Sequence, residues 1–111
     1  MKLIPKLING KFQFVTTKSA IVSENAIGMI RESEGTTLVI PTNETDGEIF
    51  ALISLINKTQ LIQTGITAKF SNALLEAKIP CNVFAGFYHD HIFVPFDMKE
   101  KAIEIISLIE I

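Results

Sequence analysis

The sequence predicts an α+β fold, an antiparallel sheet with helices packed on one of its faces, on three observations. Residues 11–40 are rich in β-branched and aromatic residues that alternate with polar ones. From residue 48 onward, apolar runs of strand length flank two stretches with a helical period. With 48% hydrophobic and 20% charged residues, eight of them Phe, a chain of 111 residues has the side chains for a single core.

Each element follows in order. Residues 1–10 read as a short helix or turn closed by Asn9-Gly10, a pair that favours positive φ. Lys11 to Lys18 alternates Phe12, Phe14 and Thr16 against Gln13, Val15 and Thr17, and reads as a strand. Ala26 to Arg31 and Thr36 to Ile40 read as two more, with Glu34-Gly35 turning one into the other. The N-terminal third is therefore expected to be a small antiparallel meander. Thr42 to Gly47 is a polar connection, and it divides the chain into an N-terminal half, 1–47, and a second unit, 48–111, within one compact body.

Phe50 to Ile56 (FALISLI) has the length and flanks of a buried strand. Beyond Gly65, the residues Ile66, Phe70, Ala73, Leu74 and Ala77 share one helix face, with Lys69, Asn72 and Glu76 opposite, and Pro80 stops the helix. Asn82 to Tyr88 and Ile92 to Phe96 read as antiparallel strands joined by His89-Asp90-His91. Asp97, with Glu100 three residues on, is placed to cap a last helix whose buried stripe is Ala102, Ile105, Ile106 and Ile109. Strand, helix, strand, strand, helix is the order of a ferredoxin-like sandwich that lacks its fourth strand. A strand from the N-terminal meander is expected to fill that open edge.

Composition excludes several function classes. Ten Lys and Arg against twelve Asp and Glu give a net charge of −2 without a basic patch, so nucleic acid is not an expected partner. No apolar run is long enough for a signal peptide or a bilayer span, so a cytoplasmic location without membrane contact is expected. Cys81 stands alone, which excludes an internal disulfide and a thiolate zinc cluster, and reads as a small buried hydrophobe.

The segment TGITAKFSNALLEAKIPCNVFAGFYHDHIFVP, residues 64–95, resembles a small group of bacterial ACT-domain proteins. That group shows a G-[IL]-T-A helix start, an A-x-I-x-x-N-V-x-A-G pattern and then Y-H-D-H-I-F-V-P. AIGMIRESEGTTLVIP, residues 26–41, is similar to the group's R-x-x-E-G-x-T-L module. The resemblance implies a tandem ACT-like architecture in which the N-terminal meander is a degenerate first unit, related to the ACT units of cytosolic arginine sensors. It also implies a non-catalytic regulatory module that binds a small molecule, an amino acid above all, and pairs as a homodimer. The brief 42–49 connection departs from longer relatives.

Candidate sites stand beside plainer readings. His89 and His91, separated by Asp90, could chelate a metal if they shared a strand face, but the chain has no further His, no second Cys and no nearby carboxylate with ligand spacing, and no metal or other cofactor is expected. A polar turn whose imidazoles fold over the sheet end, or a ligand contact, are the other readings. Thr64, Gly65, Ile66 and Thr67 open a helix, where free amides could hold a carboxylate or simply be capped. In ACT domains this is the usual ligand-contact region, and Gly65 and Thr67 match its pattern. Asn82, Ala85 and Gly86 could admit a ligand or a second subunit at a strand edge, or Gly86 could only relieve packing beneath Phe70. Arg31, the only arginine, suits carboxylate recognition or a solvated ion pair. No arrangement of catalytic groups can be read, so enzymatic activity is not expected. The alternative to a ligand-binding module is a structural dimerisation module with no small ligand.

Overall fold

The computed structural model describes residues 1–19, 23–57 and 65–111. Its strands are β1 (Pro5–Thr17), β2 (Gly28–Glu32), β3 (Gly35–Thr42), β4 (Phe50–Leu55), β5 (Asn82–Ala85) and β6 (Asp90–Pro95), and its helices are α1 (Ile66–Glu76) and α2 (Lys99–Ser107). All six strands join one antiparallel sheet in the order β2-β3-β1-β4-β6-β5.

Residues 1–10, expected to form a helix or turn, instead begin the longest strand. Pro5 to Ile8 pair with Leu55 to Leu52 of β4, while Lys11 to Thr17 pair with β3, and the register shifts between Ile8 and Phe12. Gly10 sits in that shift at φ 108°, so the Asn9-Gly10 signal marks a bulge within a strand. Because β1 lies between β3 and β4, the N-terminal strands do not run as a simple meander, and β2 is pushed to the sheet edge. The order β1-β4-β6-β5 is compatible with a ferredoxin-like unit whose fourth position is taken by β1. The expected closure of that edge by an N-terminal strand is thus present.

Two apolar layers result from strand alternation. Ala51, Ile53, Leu55, Ile92 and Val94 point to one face, where they pack on Ile66, Phe70 and Leu74 of α1 and Ala102 and Ile106 of α2. Leu52, Phe50 and Phe93 point to the other, among Phe12, Val39, Phe14 and Phe84. There Phe12, Phe14, Phe50, Phe84 and Phe93 meet edge to face with ring centroids 5.2 to 6.3 Å apart. The sheet curls toward a barrel over this second face. Gly28 on one outer strand comes so close to Phe84 on the other that a Cβ there would lie 2.6 Å from the ring.

Three local expectations change. Ala77 is exposed, because α1 ends at Glu76 and the chain reverses through Lys78 at φ 60° before Pro80. Asp97 caps nothing through its side chain, since it lies inside a 3-10 turn, Phe96–Met98, that leads directly into α2. The β5–β6 turn is Gly86 to His89, not His89 to His91. Gly86 N–H donates to the His89 carbonyl at 2.9 Å, so pairing resumes at Asp90, opposite Ala85, and His91 becomes a strand residue opposite Phe84.

Candidate functional site

His91 is built into the sheet by its register. It stands opposite Ser54 of β4 and Phe84 of β5, and Ser54 stands opposite Lys6 of β1. Directly paired residues share a face, so Lys6, Ser54, His91 and Phe84 form a row across four strands on the helix-free side. Ser54 Oγ and His91 Nδ1 hydrogen-bond at 2.7 Å. Burial is the main reason the His91 imidazole titrates below its ordinary value, the nearby His89 lowers it further, and Asp90 opposes both. Asp90 alternates onto the helix side and is buried, which pushes its carboxyl above the usual range despite the pull of His91.

The row leads into a cavity of about 310 Å³ on that face. Phe12, Leu52, Phe84 and Phe93 supply its apolar walls, Ile8 and Ile27 flank it, and among the described residues Ser54 and His91 are its polar side chains. That volume is at the small end of the range for small-molecule sites.

A second group lies at the same end of the sheet, where β4 leaves it. His89 Nδ1 lies 3.3 Å from the Asn57 carbonyl oxygen, tying the β5–β6 turn to the segment after β4. Asn57 is buried and holds the N-terminal segment, its Oδ1 accepting from Ile4 N–H at 2.7 Å and its amide donating to the Lys2 carbonyl at 3.2 Å. Gly65 opens α1 in a left-handed conformation, φ 93°, and among the described residues nothing stands where its side chain would be and no side chain caps the helix.

The sequence-derived candidates are therefore divided. Thr64 lies outside the described residues. Ile66 faces the core, and Thr67 is exposed with its carbonyl taken by Ser71 Oγ at 2.6 Å. Asn82 is at the far end of β5, beside Phe14, Glu48 and Phe50, away from the histidines. Gly86 relieves no contact with Phe70: a Cβ there would lie 2.8 Å from the His89 carbonyl oxygen and 3.2 Å from His91 Nε2. Arg31 is exposed on the edge strand β2. Cys81 is half-buried against the helix-side core, and burial raises its thiol. Among the described residues, no three His, Cys, Asp or Glu side chains are grouped to hold a metal ion, and no helix is long and apolar enough to cross a membrane.

Sequence reasoning missed Lys6, Ser54 and Phe84. The signal for Ser54 was present, a lone hydroxyl inside the apolar run FALISLI. Lys6 carried none, because its place depended on residues 5–8 being a strand.

A small α+β sandwich, with helices on one face of an antiparallel sheet and an apolar cavity on the other, is the class these features define. The ACT domain family model matches residues 47–107, and the chain belongs to that family. ACT domains are regulatory, ligand-binding modules rather than catalysts. A crystal structure from Vibrio cholerae, of a protein of unknown function described as a possible transport protein, superposes with a TM-score of 0.88 at 33% identity, over 97% of this chain and 89% of that one. An Agrobacterium tumefaciens protein superposes with a TM-score of 0.75 at 17% identity, over 96% and 88% of the two chains, a likeness of fold. No curated protein matches the sequence.

Proposed function

We propose that this chain is a non-catalytic regulatory module that binds an amino acid at the end of the sheet where α1 begins. Membership of the ACT family is the observation that carries the reading. Gly65 leaves the first amides of α1 approachable, Thr67 adds an exposed hydroxyl-bearing residue in that turn, and the Gly86–His89 turn is anchored at the same end through Asn57. The N-terminal strands act as a reduced first unit that completes the sheet of the second. The ligand acts by binding one conformational or oligomeric state better than another.

Calorimetry against each proteinogenic amino acid tests the reading. Saturable heat from at least one, lost in Gly65→Val, is the expected result, and no heat from any of them overturns it. The valine fills the space above the helix start and also strains a positive-φ position by about 1–2 kcal/mol, so folding is checked in parallel by circular dichroism.

A second reading, a dimerisation module without a small ligand, is favoured by one observation. The outer strand β2 presents Met29 and Ile30 to solvent. Sedimentation that shows a dimer disrupted by Ile30→Lys, together with silence toward all amino acids, selects it.

A further inference from the structure

The cavity on the helix-free face is a different place from the α1 start, and its chemistry can be read independently of the amino-acid reading. Its walls are aromatic and aliphatic: Phe12, Phe84 and Phe93 contribute rings, and Leu52 and Ile8 aliphatic side chains. At one end stand Ser54 and His91, already joined through Nδ1. Beside Ser54 on the same face is Lys6, one strand away and exposed. Among the described residues, no Asp or Glu lines the cavity.

We infer that this cavity is a binding site for an apolar, ring-sized carboxylic acid whose carboxylate is held by the Lys6–Ser54–His91 row. The body of such a molecule replaces water against the phenyl rings. Its carboxylate needs donors: the Lys6 ammonium supplies one, and the Ser54 hydroxyl a second, with the Ser54 oxygen itself accepting from His91 Nδ1–H. An α-ammonium group would find no anionic partner there and would be desolvated at a cost. The site therefore prefers a carboxylic acid without an amino group to the amino acid of the same shape. Gly28 belongs to the same construction: its missing side chain lets Phe84 close the cavity wall.

Phenylalanine and 3-phenylpropionate share a ring, a chain and a carboxylate and differ by the ammonium group, and 3-phenylpropanol lacks the charge altogether. Proton–nitrogen and aromatic NMR spectra of the full chain are recorded with each at millimolar concentration. 3-Phenylpropionate is expected to shift His91, Ser54, Leu52 and Phe93 saturably, more tightly than either of the other two. Lys6→Gln, an exposed change that leaves the core intact, should weaken it by about two- to fivefold, the strength of an exposed charge pair. Ile8→Trp should fill the cavity and abolish the shifts, with Ile8→Phe as the milder variant if the tryptophan unfolds the chain.

Several results overturn the inference. They are an absence of shifts at these residues with 3-phenylpropionate, shifts that survive a folded filling variant, or equal affinity for 3-phenylpropanol. Shifts at these residues on dilution without any ligand also overturn it, because a second copy of the chain would then cover the face. Shifts confined to residues around Gly65 with phenylalanine support the amino-acid reading alone, so the two readings fail separately.

Discussion

Gly86 and His91 show how one residue without a side chain fixes another that has one. The Gly86 amide reaches the His89 carbonyl, and the space over its Cα is filled by that carbonyl and by His91 Nε2. Gly86→Ala forces backbone or ring to move, and the expected loss in urea unfolding is about 1–3 kcal/mol. Titration of His91 has a definite sign. Its folded-state pKa is depressed, by burial first, so its contribution is fully present above the ordinary imidazole value of 6.5 and is lost as pH falls below it toward the folded value. Asp90, raised by burial, acts oppositely, contributing below 3.8 and losing that contribution as pH rises through its folded value. Urea midpoints measured downward from about pH 7 should therefore fall through the imidazole range, and His91→Phe should flatten that fall.

At the scale of elements, the bulge in β1 decides more than its size suggests. Before the shift the strand pairs with β4, after it with β3 while Phe12 still meets Phe50 of β4, and Gly10 at positive φ makes the offset possible. The helix-side layer depends on α1, whose Phe70 and Leu74 are fully buried against β4 and β6 residues. Phe70→Ala should cost about 3–5 kcal/mol in equilibrium unfolding, a large share of the stability of a domain this size. The same substitution leaves the cavity on the other face without a changed wall. A preserved 3-phenylpropionate response in a folded Phe70→Ala variant would show that the two layers are separate in function as well as in position.

At the scale of the whole molecule, the segment that leads into β1 pairs with the residues that follow α2. Leu3 N–H donates to the Ile109 carbonyl at 3.0 Å and Ile111 N–H to the Met1 carbonyl at 2.8 Å, around a bridge between Lys2 and Glu110. The ACT match begins at residue 47, yet the strand beside β4 comes from residues 5–8. A fragment of residues 47–111 therefore exposes the β4 edge together with the second apolar face. Size-exclusion chromatography should find it associated or insoluble, and adding a peptide of residues 1–17 should recover the monomeric form. A well-behaved monomeric fragment would show that β1 is dispensable.

Much was legible in the one-dimensional pattern because it is local. The period of Ile66, Phe70 and Leu74, the buried run Phe50 to Leu55, the hairpin at Gly35 and the order of elements after residue 48 follow from spacing and turn chemistry, and the ACT family model over residues 47–107 agrees with the ACT resemblance of residues 64–95. Residues 1–10 were misread because a strand with a bulge and a helix turn share the same short Asn-Gly signal, and only pairing with β4 distinguishes them. The cavity was not legible for the same reason. Lys6, Ser54, His91 and Phe84 come from four strands, and their row exists only once hydrogen-bond register sets them side by side. Spacing along the chain carried the order of strands and helices after residue 48, since that order depends on sequence neighbours, but not the placing of the β5–β6 turn. The tertiary structure alone decided which strand closes the edge and which side chains share a face, since long-range pairing and sheet curl are set by contacts between residues far apart in sequence.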